Sequence, residues 1–482
     1  MKKDKIVTIA NMKNKHEILS GIIAFIVVLI CILPMELSPY WNGKIPEHRN
    51  QYELLADAIL EGHLDIRYDN IDKRLYEMEN PYDTMKRYEE NISVPWDHAY
   101  YNKKFYMYFG VAPVFLTFIP FKLITGQTLL SHNATQIFAA FFIFGIFTLF
   151  YLICKLFYKE TPLSVYLTCS SAFSILSIWV SICQPALYCT AIVSGLCMAV
   201  WCLYFFMSAV YDEHSENKRI VLAAIGSLFG ALTFACRPPI GFANFLIIPM
   251  FIHYLKQRKA DSKLVKKLIL AALPYLVIAC LLMIYNYARF ENPFEFGQSY
   301  QLTIEDQTAY KNIFSRIDYA KIINGIHKNF FENGSTVDIF PYTGIKGILL
   351  NFPILFLPLL IINDKFRKNL KEKKLFSIYT ILMILPVVVT IVDVIYAPSV
   401  DERYRMDEYY LMSILTFITI VNWYQVSSSK KFIRYFINIF AMLTILKCAL
   451  LFCVPFDVNY AYVYPDQLKE IVKKITFGLA KT

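Results

Sequence analysis

The side chains able to do chemistry fall in a few short stretches between long apolar runs. Glu47 stands in "PEHRNQY", Asp97 in "PWDHAYY", Arg237 in "ACRPP" and Glu295 in "NPFEFGQSYQLT". Asp401, Glu402, Arg403, Arg405 and Asp407 share "VDERYRMDEYY", and Lys447 sits inside an apolar run near the C-terminus. A carboxylate can take a proton from a hydroxyl, and a guanidinium presents a planar fork of donors that matches phosphate. Each residue alone also has a plainer role: a solvated loop charge, a structural ion pair or a snorkelling side chain. Their surroundings argue for more. Asp97 follows Trp96 and precedes Tyr100, Tyr101, Phe105, Tyr106 and Tyr108. That mixture of ring faces and hydrogen-bonding rims suits both sugars and the membrane boundary. Arg237 precedes Pro238 and Pro239 at a tight turn, which holds its fork near lipid headgroups where it can grip phosphate.

The elements that must position these groups are membrane spans. Of the 482 residues 56% are hydrophobic and only 18% charged, a balance that excludes a soluble globular domain. Apolar runs of about 20 residues, enough to cross a hydrocarbon core of roughly 30 Å, recur along the chain. The spacing predicts eleven spans, at 19–37, 133–154, 162–181, 188–208, 219–235, 239–255, 267–287, 345–362, 375–396, 409–425 and 434–455. The first is read as a retained signal anchor, because no small-residue cleavage site follows it. Threaded with the N-terminus inside, the Lys/Arg-rich connections 2–15, 155–159, 211–219, 256–267, 365–374 and 430–434 all fall in the cytoplasm, as the positive-inside rule requires. The net charge of +10 therefore reports topology and not nucleic-acid binding. The remaining mass collects outside, in the 38–132 loop, the 289–344 loop, the 397–408 turn and the 456–482 tail.

Within the first loop, Tyr52, Leu55, Ala56 and Ile59 share one helical face and predict a helix along the membrane surface. The apolar stretch Phe109 to Thr125 contains Pro113 and Pro120, and counting it as a span would invert every later charge cluster; it is read as re-entrant. The eleven cysteines form no C-x-x-C pair and no Cys/His metal spacing.

One span, then an outer loop opening with "QYELLADAILEGHL", then "NPYD", "WDHAYYNKKFYMYFGVAP", "RPP", "FENPFEFGQSYQLT" and "ERYRMDEYY", is an order that resembles the C-type glycosyltransferase superfamily. The chain is most similar to bacterial relatives of protein O-mannosyltransferases and of the lipid A aminoarabinose transferases. The resemblance implies an all-α polytopic enzyme of the cell membrane whose active site is extracytoplasmic. It would move a sugar from a polyprenyl-phosphate carrier to an envelope glycan, lipid or protein, with inversion, using a first-loop carboxylate as general base. The family's acidic pair ahead of the surface helix would fall near His48 and Arg49, and this chain has Glu47, His48 and Arg49 there. The base is therefore Glu47, shifted by one residue, or Asp97; the tyrosines and re-entrant segment behind Asp97 favour the latter. Arg237, Arg403 and Lys447 are the expected phosphate-binding cations, with Tyr100, Tyr101, Glu295 and Asp407 expected around the substrate. A divalent Mg or Mn ion stays open, since the carboxylates are scattered without ligand spacing. The competing readings are a lipid-linked glycan transporter or flippase, which the long outer loop and missing internal repeat disfavour, and a surface polysaccharide polymerase or ligase, which only the donor would distinguish.

Overall fold

The computed structural model describes residues 6–37, 50–256, 258, 262–310, 312–334, 337–397, 401–455 and 460–480. It is 72% helical. In chain order the helices are α1 (Asn14–Met35), α2 (Gln51–Leu60), α3 (Thr84–Glu89), α4 (Ile119–Thr125), α5 (Ser131–Phe157), α6 (Leu163–Cys183), α7 (Tyr188–Tyr211), α8 (Glu216–Cys236) and α9 (Ile247–Lys256). There follow α10 (Ser262–Phe290), α11 (Tyr319–Phe331), α12 (Ile348–Asn351), α13 (Asp364–Glu372), α14 (Phe376–Tyr396), α15 (Met406–Val426), α16 (Lys430–Phe452), α17 (Tyr460–Val463) and α18 (Pro465–Ile475). The described strands are β1 (Ala99–Tyr101) and β2 (Lys104–Tyr106), an antiparallel hairpin.

Among the described residues nine helices are long and apolar enough to cross a membrane, which makes this a multi-pass membrane protein. They match nine of the eleven expected spans. The other two differ in kind. In the 345–362 stretch, Pro353 and Pro358 cannot donate to an i→i−4 ladder, and Pro353–Ile362 forms a 3₁₀ helix. At about 2 Å per residue those residues span about 20 Å. The 409–425 stretch is α15, whose 21 residues would reach about 31 Å. It carries Asp407, Glu408 and Asn422, and every residue from Arg405 to Asn422 is buried. Protein surrounds it and not lipid, so its sequence need not be uniformly apolar. The opposite case is α10, whose apolar window is 0% buried and is left to the lipid.

Outside the spans, the expected surface helix is α2. Tyr52, Leu55 and Ala56 are buried against the apolar stretch that follows Pro113, with the Tyr52 ring stacked on Phe118 at 5.4 Å. That stretch is a π-helical turn, Val114–Phe118, running into α4. Its 12 residues span about 18 Å, short of a crossing. The Lys122 ammonium pairs with Asp57 of α2 across this contact. Glu53, one turn before Asp57 in α2, accepts from the Ser131 backbone N–H at 2.5 Å and from its hydroxyl at 2.8 Å. This places a carboxylate at the N-terminus of α5, where unpaired amides and the helix dipole favour it. Burial nevertheless pushes its carboxyl up to about 7.

The 38–132 and 289–344 loops are joined by backbone. Leu302 N–H donates to His98 O at 2.8 Å, Asp97 N–H donates to Leu302 O at 3.0 Å, and the Arg87 guanidinium donates to Thr303 O at 2.9 Å. The 297–303 segment thus lies along the hairpin and closes one side of a cavity.

Candidate active site

Asp97 sits just ahead of β1 with φ 56°, a left-handed conformation that Asp tolerates better than most residues. It is 7% exposed. Its Oδ1 accepts from the Gln301 amide at 2.9 Å, its Oδ2 accepts from the Tyr188 hydroxyl, and its carbonyl accepts from the Gln51 amide at 3.1 Å. Four elements therefore fix one carboxylate: α2, the hairpin, the 297–303 segment and the first residue of α7. Leu187, just before Tyr188, has φ 44°, so both ends of the Tyr188–Asp97 bond rest on backbone that packing must enforce.

Asp97 lines a cavity of about 860 Å³. The loops supply a polar side with Trp96, Glu295, Gln301, Asp401 and Arg403, and the spanning helices supply an apolar side with Val180, Ile192, Phe234 and Val392. Arg403 lies over the Tyr188 ring at 4.2 Å and pairs with Asp401 at 2.9 Å. Burial pushes the Tyr108 phenol on the same wall well above its ordinary range, and the Asp97 charge adds to the effect.

Arg237 also reaches the cavity, but its Nε edge is engaged. It follows the end of α8, and its Nε donates to both Asp407 oxygens at 3.0 and 2.7 Å. Gly110 makes this placement possible: a Cβ there would lie 1.9 Å from the Cys236 carbonyl oxygen. Asp407, fully buried in the first turn of α15, is off the cavity wall and acts here as the partner of Arg237. Asp393 of α14 lines the cavity beside them.

Of the residues singled out in the sequence, Asp97, Arg237, Arg403 and Glu295 share this cavity. Glu295 turns one oxygen to its own loop, accepting from Gly297 N–H at 2.6 Å. Tyr100, Tyr101 and Lys447 are not on the wall. Tyr100 packs with Leu75, Ile92, Phe105 and Leu302, because a strand sends alternate side chains to opposite faces. Tyr101 lies against Tyr300 at 4.7 Å and donates to Glu291 at 3.3 Å. The Lys447 ammonium donates to the Thr343 hydroxyl at 2.7 Å. Glu47 lies outside the described residues. Sequence reading did not single out Tyr188, Gln301 or Asp393; each is an ordinary residue until folding sets it beside a partner far along the chain. Among the described residues no three His, Cys, Asp or Glu side chains converge as a metal-binding group.

No family model and no curated protein matches the sequence. Solved structures do resemble it. ArnT from Cupriavidus metallidurans bound to undecaprenyl phosphate is 11% identical with a TM-score of 0.48, over 97% of this chain and 81% of that one. The apo oligosaccharyltransferase of Archaeoglobus fulgidus is 13% identical, TM-score 0.43, over 88% of this chain. Archaeal AglB from the same organism, in complex with an inhibitory peptide and a dolichol-phosphate, is 12% identical, TM-score 0.40, over 95% of this chain. The chain spans 54% and 56% of the length of the two archaeal proteins.

Proposed function

We propose that the protein is a glycosyltransferase that moves a sugar from a polyprenyl-phosphate carrier to a hydroxyl acceptor on the extracytoplasmic face, with inversion. One observation carries this reading: Asp97 and Arg403, a carboxylate and a cation, meet through Tyr188 on a cavity that is polar on one side and apolar on the other. An amphipathic donor suits such a cavity, with its prenyl chain along Val180, Ile192, Phe234 and Val392 and its sugar phosphate at the loops. The extracytoplasmic face follows from the Lys/Arg clusters, which the threading puts on the other side.

In the reaction the acceptor oxygen attacks the anomeric carbon from the face opposite the phosphate. The Asp97 carboxylate takes the hydroxyl proton as the new carbon–oxygen bond forms. The bond between the anomeric carbon and the phosphate oxygen breaks, and its electron pair leaves with the polyprenyl phosphate. Arg403 faces the charge that grows on that oxygen and stabilises the transition state more than the ground state. With Arg237 held by Asp407, Arg403 is the cation assigned to the phosphate.

The test is to incubate purified protein with a panel of polyprenyl-phosphate sugars and measure released polyprenyl phosphate and the configuration of the product. Release only when an acceptor hydroxyl is present supports the reading. Movement of a labelled lipid-linked sugar between leaflets without cleavage of the phosphate bond would replace it with a flippase.

A further inference from the structure

The cavity wall carries an acceptor that this mechanism does not use. Asp393, near the end of α14, is 3% exposed and lines the cavity together with Arg237. Several carboxylates of the cavity wall and its buried cluster are held from within the protein. Asp407 holds Arg237, Asp97 accepts from Gln301 and Tyr188, and Asp401 pairs with Arg403. Glu408, off the cavity wall, accepts from the Asn329 amide at 3.0 Å and the Thr390 hydroxyl at 2.7 Å and leaves its other oxygen without a bond. Asp393 Oδ2 has no hydrogen-bond partner among the described residues. The buried Arg237 NH2 group is in the same condition: it lies 2.7 Å from Asp407 Oδ2, but in a direction that makes no hydrogen bond.

A buried carboxylate oxygen without a donor is costly. In the wall of a ligand-sized cavity, that cost is removed if the ligand brings the donor. An unmatched acceptor beside an unmatched donor narrows the choice. An ammonium only donates and an ionised phosphate only accepts, whereas a hydroxyl does both. The place also fits, since the Arg237 and Arg403 guanidiniums lie 5.1 and 5.6 Å from the same Tyr404 ring, which sets this pair next to the phosphate end.

We propose that Asp393 and Arg237 form a hydroxyl-binding subsite that takes a sugar hydroxyl of the lipid-linked donor, and so recognises the sugar and not the carrier. This rests on the reading of the cavity as a lipid-linked-sugar site. Calorimetric titration of the full chain in detergent, with bare polyprenyl phosphate, the sugar-bearing lipid and single-deoxy versions of that lipid, tests it. Wild type binds the sugar-bearing lipid more tightly than the bare one, and one deoxy analogue loses that gain. Asp393→Ala weakens the sugar-bearing lipid by about tenfold to a hundredfold, leaves the bare lipid unchanged, and no longer distinguishes that deoxy analogue. Asp393→Asn, of nearly equal volume, follows the same pattern to a smaller extent and guards against misfolding. Equal weakening of both lipids in Asp393→Asn, or a deoxy effect that persists in full in Asp393→Ala, overturns the subsite while leaving the cavity reading in place. A wild-type protein that binds bare and sugar-bearing lipid alike, or neither, overturns the cavity reading itself.

Discussion

Asp97 and Arg403 are held by one phenol: the Tyr188 hydroxyl donates to Asp97 Oδ2 while its ring carries the Arg403 guanidinium at 4.2 Å. A carboxylate from the 38–132 loop and a cation from the turn before α15 thereby share a support at the start of α7. Two parts of the chain that could otherwise move apart are locked in one geometry, as the proposed transfer, which must align a base with a leaving phosphate, requires.

The two charged groups separate binding from turnover. Asp97→Asn is expected to lower transfer by about 10²-fold or more while donor affinity stays near wild type, since a general base acts only as the proton moves. Arg403→Ala is expected to lose donor affinity as well as turnover. Glu47→Gln is the comparison that decides the base: an inactive Glu47→Gln beside an active Asp97→Asn would move the role to the start of the loop.

Tyr188 can be taken apart in two steps. Tyr188→Phe keeps the ring under Arg403 and removes the donor to Asp97, so kcat should fall by roughly tenfold with KM for the donor little changed. Tyr188→Leu removes both contacts, and KM should rise as well. Steady-state kinetics on the two variants would count against the shared support if both changed KM equally.

Glu53 gives the protein a pH-dependent term. Its carboxyl ordinarily titrates near 4.5 and in the fold near 7. Below about 4.5 it is neutral in both folded and unfolded chains, so no stability is lost. Between about 4.5 and 7 the unfolded carboxyl ionises while the folded one keeps its proton, so stability falls across that window by up to about 3 kcal/mol and is flat above it. Glu53→Gln keeps an acceptor for the Ser131 N–H and has no proton to lose. Thermal unfolding between pH 5 and 8 should therefore be flatter in the variant; identical slopes would refute the assignment.

Gly110 tests the approach of the first loop to the end of α8. Any Cβ there meets the Cys236 carbonyl, one residue before Arg237, so Gly110→Ala must displace one backbone or the other. A loss of about 1–3 kcal/mol in unfolding free energy is expected, with donor affinity reduced because Arg237 moves.

Orientation can be checked without activity. Single cysteines at Gly62, in the first loop, and Asn217, between α7 and α8, should label from opposite sides of the membrane. Labelling from the same side would invert the threading and move the proposed site to the cytoplasm.

The sequence by itself determined the membrane class, nine of the spans, the short apolar helical stretch after Pro113 and the buried face of α2. These depend on apolar length, on periodicity, on proline and on where Lys and Arg fall, all properties of consecutive residues. It also marked Asp97, Arg237, Glu295 and Arg403, because ionisable groups beside apolar runs need a reason to be there. Only the tertiary structure decided which of these groups meet and which are already taken. Arg237 reads as a free phosphate fork until α8 packs near α15 and Asp407 takes its Nε edge; Lys447 reads as a third cation until its end of α16 comes to Thr343. Tyr188 and Asp393 carried no mark at all, and α15 looked like a lipid-facing span until its neighbours enclosed it. Periodicity tells which face of its own helix a side chain occupies, but a hydrogen bond or ion pair needs a partner within about 3 Å, and that partner is chosen by how separate helices pack.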